Sequence, residues 1–187
     1  MVNMIFGRQR ALRRIASVFL GASALAGCGM FGSDQPSGPP PATCPTSTVL
    51  KPLSQTAVFA PGAARQPTGV AFYGILPDIT VKCEGSGAAL RASIDVIVIG
   101  ERGPAAGNAN AVDLQYFVAV TGPNQAVLSK QSFPVHVDIA ANARRAGVTD
   151  HIEQAIPMTA SLADTNIIVG FQQSPDVVDF YRHFRGR

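Results

Sequence analysis

The amino-acid sequence predicts a mostly β fold, an antiparallel β-sandwich that ends in one short helix. Three observations lead there. Apolar and polar residues alternate with period two in several runs, turn-forming residues separate those runs, and only the last stretch carries clear helical spacing. The first strands are expected near residues 68–75 and 78–84, where Ile79, Val81 and Cys83 alternate with Thr80, Lys82 and Glu84. Glu84, Gly85, Ser86 and Gly87 read as a hairpin connection into a strand at 88–100, whose apolar row is Leu90, Ala92, Ile94, Val96 and Val98. After a longer loop at 103–110 the pattern returns with Val112, Leu114, Tyr116, Val118 and Val120. Gly122, Pro123 and Asn124 turn the chain into a strand at 126–136, and further strands are expected at 151–158 and 165–172.

Two passages read as helix. Residues 139–146 are Ala-rich and stop at Gly147, which predicts a short connecting helix. The clearer helix starts at Ser174, a good N-cap, with Pro175 at the first helical position and Asp176 complementing the dipole. Val177, Phe180, Tyr181 and Phe184 then share one face. Docking against the sandwich is expected for that stripe rather than partner binding, because four such side chains left in water are a liability. About seven short strands with little helix favour an immunoglobulin- or fibronectin-like sandwich, with a small barrel as the second choice.

The first 28 residues have a different character. Arg8, Arg10, Arg13 and Arg14 form a positive start, residues 15–25 are short and apolar, and Leu25, Ala26 and Gly27 lead into Cys28. Charge, short apolar core and small-residue end describe a secretory signal, too short in its apolar part to span a bilayer. Arg13 and Arg14 invite a twin-arginine reading, but the usual flanking residues are missing and general secretion is expected. The Leu-Ala-Gly-Cys ending resembles the lipobox of bacterial lipoproteins. That resemblance implies cleavage after residue 27, leaving 1–27 as a signal peptide, and lipidation of Cys28. Two or three acyl chains would then hold the protein on a membrane, at about 0.8 kcal/mol per buried methylene. Gly29 at the sorting position implies the outer membrane, facing the periplasm, with surface exposure as the alternative. Residues 28–43 are the lipidated cysteine and a Pro-, Gly- and Ser-rich tether that reaches up to roughly 45 Å when extended. Residues 44–187 form a single domain with enough length for a core.

The whole chain carries a net charge of +3, from 15 basic and 12 acidic residues. Residues 1–27 hold four of the basic residues and no acid, so the remainder has 11 basic against 12 acidic residues. The positive balance belongs to the leader, and nothing points to nucleic acid as a partner. Arg182, His183, Arg185 and Arg187 are the one local excess, read as a solvated tail. Cys44 and Cys83 have no close second ligand for a metal and no C-x-x-C spacing. In an oxidising compartment they read most simply as a disulfide. Closing that loop is worth roughly 4 kcal/mol in the chain-entropy model.

Chemistry is sparse. The sequence has no phosphate loop, no nucleophile elbow and no H-E-x-x-H, so neither an enzymatic role nor a cofactor is expected. His136 with Asp138 and His151 with Glu153 each place a histidine and a carboxylate on one strand face; only if the two pairs met would they offer a metal set. Phe72, Tyr73, Phe117, Phe133 and Phe171 are more often core than pocket lining, though together they could line an apolar site.

The mature part is similar to uncharacterised outer-membrane lipoproteins of proteobacteria. The likeness rests on the lipobox, the Pro-rich spacer and following cysteine, the run from Tyr116 to Val120 leading to Leu128, Ser129 and Lys130, and the run from Gly170 to Pro175. It brings no catalytic residues. The expectation is a non-enzymatic protein-interaction or structural module of the cell envelope, bound to an envelope protein. The alternative is a carrier or sensor of a small apolar ligand.

Overall fold

The computed structural model describes residues 43–86, 89–157 and 161–184. The expected signal peptide, Cys28 and all of the expected tether except Thr43 lie outside the described residues. Among those described, nine strands and one helix follow in order: β1 (Thr46–Val49), β2 (Gln55–Phe59), β3 (Val70–Ile75), β4 (Ile79–Ser86), β5 (Ala89–Arg102), β6 (Ala111–Thr121), β7 (Val127–Asp138), β8 (Arg145–Pro157), β9 (Asn166–Phe171) and α1 (Pro175–His183). One sheet runs β1-β9-β6-β7. The other runs β2-β3-β5-β4, with β8 also on β5. The result is an open two-sheet sandwich with no closed barrel. Its recorded pairings are antiparallel apart from β1 with β9, which is parallel.

The alternation read from the sequence is what builds the core. Leu90, Ala92, Ile94, Val96 and Val98 of β5 face Val112, Leu114, Tyr116, Val118 and Val120 of β6 in one buried cluster that also holds Ile167, Val169 and Phe171 of β9. At about 25 cal/mol per Å² of buried apolar surface, this inter-sheet layer is the main force holding the sheets together. Gly74 leaves room for it, since a Cβ there would sit 2.7 Å from Thr56 Cγ2 and 3.0 Å from Leu114. The second half of β6 is buried on both faces, because Phe117 and Ala119 are covered on the outside of their sheet. Lys130 lies 4.2 Å from the Phe117 ring centre.

β5 is the longest strand, and its length explains its neighbours. β8 pairs with it from Ala89 to Glu101. On the opposite side β4 takes positions 89–96 and β3 takes positions 99–102. β3 and β4 thus lie end to end along one side of β5, parted by Leu76, Pro77 and Asp78. Proline cannot donate a ladder hydrogen bond, so the break falls at Pro77.

The helix expected at 139–146 is not formed. Ile139 is buried, the chain turns with Ala143 N–H donating to the Ala140 carbonyl at 2.8 Å, and β8 begins at Arg145. Alanine is a strong helix former, but propensity yields to tertiary pairing: Ala146, Val148 and Ile152 also fit a period-two row, and the long β5 supplies a partner for it from Arg145 onward. The strand expected at 151–158 is accordingly the second half of a longer one.

α1 follows the sequence reading closely. The Ser174 hydroxyl accepts from Val177 N–H at 3.4 Å, and Val177 and Phe180 are buried. The helix docks on the outer face of β2 and β3, where Phe180 joins Ala57 and Val70, flanked by Phe59, Tyr73 and Tyr181. Phe59 meets Phe180 edge to face with ring centres 5.2 Å apart. Phe184 falls past the helix end and stays exposed.

Candidate functional site

A sandwich has two flanks where the edge strands of its sheets lie close together, and here they are built differently. On the first flank Cys44, just before β1, is bonded to Cys83 on β4, with Cα atoms 5.3 Å apart. β1 and β4 belong to different sheets, so this disulfide joins the sheets covalently at the start of the domain. On the second flank the edge strands are β7 and β8. There a side-chain hydrogen bond links the sheets: the Tyr116 hydroxyl of β6 donates to Asp150 Oδ2 of β8 at 2.7 Å. Tyr116 is fully buried, and burial followed by its bond to the Asp150 carboxylate pushes the phenol far above its ordinary pKa. The ring also stacks on Phe133 of β7 at 5.5 Å.

The two edges of this flank differ in what they offer a partner. β7 carries Pro134 in its middle, and its register with β6 shifts at Val120 and Thr121. Proline and irregular pairing are common ways to blunt an edge. β8 has neither device between Arg145 and Ile156. Its 13 residues keep one unbroken register on β5, its sole recorded partner among the described residues. Among the described residues no strand pairs with the other side of that backbone. The outward face of β8 presents Arg145, Gly147, Thr149, His151, Glu153 and Ala155, all exposed. Beside them Ile97 of β5 is 39% exposed, and a shallow groove of about 450 Å³ runs along Ile97, Ile99, Arg145, Gly147 and Thr149.

The histidines named from the sequence do not converge. His136 sits on β7 and His151 on β8, in different sheets. His136 Nδ1 lies 2.6 Å from Asp113 and Nε2 lies 3.3 Å from Asp138. The hydrogen bond to Asp113 is the main reason its pKa rises above 6.5. His151 pairs across the ladder with Asp95 at 2.6 Å, while its expected companion Glu153 meets Arg91 at 3.4 Å. No group of three or more potential metal ligands occurs among the described residues.

The five aromatics weighed as a pocket lining are likewise dispersed. Phe72 and Phe171 are in the main core, Phe133 is packed against it, Tyr73 lies beneath α1, and Phe117 is on the outside of its sheet under Lys130. Further depressions of about 570 Å³ and 280 Å³ flank α1, the first lined by Lys51, Leu53, Val178 and Arg182, the second by Arg65, Asp176 and Phe184.

Two residues matter here that sequence reasoning missed. Arg102, at the end of β5, donates through Nε to Ala143 at 3.1 Å, through Nη2 to Ile139 at 3.0 Å, and through Nη1 to the Ala109 carbonyl. One guanidinium thus ties down both the 103–110 loop and the turn before β8. Gln154 of β8 is buried; its amide donates to the Ala155 carbonyl at 3.0 Å while Oε1 has no partner among the described residues. Among the described residues no helix is long and apolar enough to cross a membrane. No family model, curated protein or solved structure matches the chain.

Proposed function

We propose that this chain is a lipoprotein of the bacterial envelope, anchored through lipids on Cys28 to the outer membrane and facing the periplasm. Its sandwich serves as a non-enzymatic interaction module held off the membrane by the tether. The observation that carries the interaction reading is the edge of β8, long, regular and without proline or bulge between Arg145 and Ile156. Such an edge is a template for an added strand, with main-chain hydrogen bonds giving affinity and alternate side chains giving specificity. The Cys44–Cys83 bond supports export, because disulfides persist in oxidising compartments.

The competing reading, a carrier of a small apolar ligand, needs space between the sheets. Tyr116, Phe171, Ile94 and Ile167 fill that layer with no exposed surface, which favours the interaction reading. Mild crosslinking in the protein's own membranes, followed by gentle extraction, tests it. The expected result is a stoichiometric protein companion. Recovery of a monomer carrying a small molecule would overturn the reading in favour of the ligand carrier. For the anchor, labelled palmitate should enter the wild-type chain and not a Cys28→Ser variant.

A further inference from the structure

The outward face of β8 is complementary to itself. We propose that β8 pairs with β8 of a second copy of this chain, antiparallel about a two-fold axis through Thr149, so that the two five-stranded sheets become one continuous sheet. This rests on the reading of β8 as an interaction edge and names its partner.

In that register Arg145 of one copy stands opposite Glu153 of the other, twice over by symmetry, and Thr149 stands opposite Thr149. All three are exposed and on the same face. Opposite charges and paired threonines at facing positions favour antiparallel pairing, while like charges there oppose it. Slipping by two residues places Arg145 opposite either His151 or Ala155 and loses both charge pairs. Slipping by one turns the core-facing row outward. The charge pattern therefore selects one register, and a two-fold pairing of identical surfaces closes on itself as a dimer. Glu153 already touches Arg91, but both side chains are more than half exposed, so the contact leaves the carboxylate free to meet a second cation.

Gly147 supplies an independent argument. Glycine weakens a strand interior and often marks a place where another chain approaches closely. Within one copy nothing demands it: its φ is not positive, and a Cβ there would meet Ile99 Cγ1 at 3.5 Å, an ordinary contact. In the proposed register the residue facing Gly147 is His151 of the second copy. The missing side chain leaves the two backbones room to approach beside the groove that Ile97 and Ile99 line, while the His151 ring stays with Asp95 of its own copy.

The test uses the full lipidated chain in its own membranes, with a benzophenone amino acid replacing Thr149. Irradiation should give an adduct of twice the chain mass that contains this chain alone. An adduct with a different protein overturns self-pairing and leaves the edge reading standing; no adduct overturns both. A Thr149→Cys variant guards against damage by the bulky probe. Directly opposed residues in an antiparallel pair have Cα atoms about 4.5–5.5 Å apart, within reach of a disulfide. Glu153→Arg should lower the yield of either dimer about tenfold, and Arg145→Glu combined with Glu153→Arg should restore it. A yield indifferent to these charges, or one the double variant fails to restore, overturns the register.

Discussion

The two flanks of the sandwich solve the same problem with different bonds. Where β1 meets β4 the sheets are joined by Cys44 and Cys83; where β7 meets β8 they share the hydrogen bond from Tyr116 to Asp150. A covalent tie restricts the unfolded chain and leaves little for solution conditions to change. A hydrogen-bonded tie next to a free edge rests on one phenol and one carboxylate and leaves the backbone of β8 open to a partner. The difference teaches that one flank of this small domain is closed by a covalent bond, while the other keeps the strand edge on which the proposed recognition rests.

The comparison can be broken by removing each tie in turn. Replacing Cys44 and Cys83 together by serine should have the largest effect, lowering the unfolding free energy by roughly 4 kcal/mol for a separation of 39 residues, as read from denaturant melts. Tyr116→Phe should cost about 1–3 kcal/mol, because the inward Asp150 carboxylate loses its donor. If the two losses were equal, the flanks would not differ as described. Arg102→Ala should cost about 1–3 kcal/mol by freeing three carbonyls. It should also raise amide exchange at 139–144 and at the start of β8 more than in β4. Gln154→Met should act in the opposite direction, adding about 1 kcal/mol by removing a buried oxygen without a partner.

The smallest effect concerns pH. Asp113 and Asp138 raise the His136 pKa above 6.5, so the folded state binds that proton more tightly than the unfolded state. Its contribution is fully present below pH 6.5 and is lost as pH rises through the folded value. The groups are exposed, so global stability should barely change. An NMR titration of the His136 ring should instead show the raised midpoint, and Asp113→Asn should move it back toward the ordinary value. A midpoint unaffected by Asp113→Asn would remove the pairing.

Much of this architecture was legible in the sequence because burial in a sheet writes itself as alternation. The rows of β4, β5 and β6 were read residue by residue, and α1 was marked by Ser174, Pro175 and its apolar stripe. The missing parts depended on contacts distant in sequence. β1 is only four residues long and has no alternating apolar row; what holds it is the parallel ladder to β9, formed 120 positions later. β2 has a two-faced apolar pattern because α1 covers its outer side. The stretch 139–146 looked helical because nothing local reveals that β5 offers a 13-residue side for β8, beginning at Arg145, to pair with. At the candidate site, Cys44 and Cys83 could be matched because the lipobox resemblance sets Cys28 aside and leaves one pair of the three cysteines. For the histidines the reading was partial: His136 does meet its i+2 carboxylate Asp138, but its nearer partner Asp113, and the partner of His151, Asp95, are cross-strand neighbours that no local spacing reveals. The free edge of β8 had no sequence signature at all, being defined by which strand is absent beside it.

The most direct test of the central claim is amide exchange along β8 in two states of the full chain, one in its own membranes and one diluted in detergent as a monomer. In the monomer, amides of Arg145–Pro157 that do not bond to β5 should exchange quickly, while those bonded to β5 stay protected. In membranes the fast set should become protected together, with β7 unchanged. Fast exchange of the same amides in both states would contradict the assignment of β8 as the interaction edge.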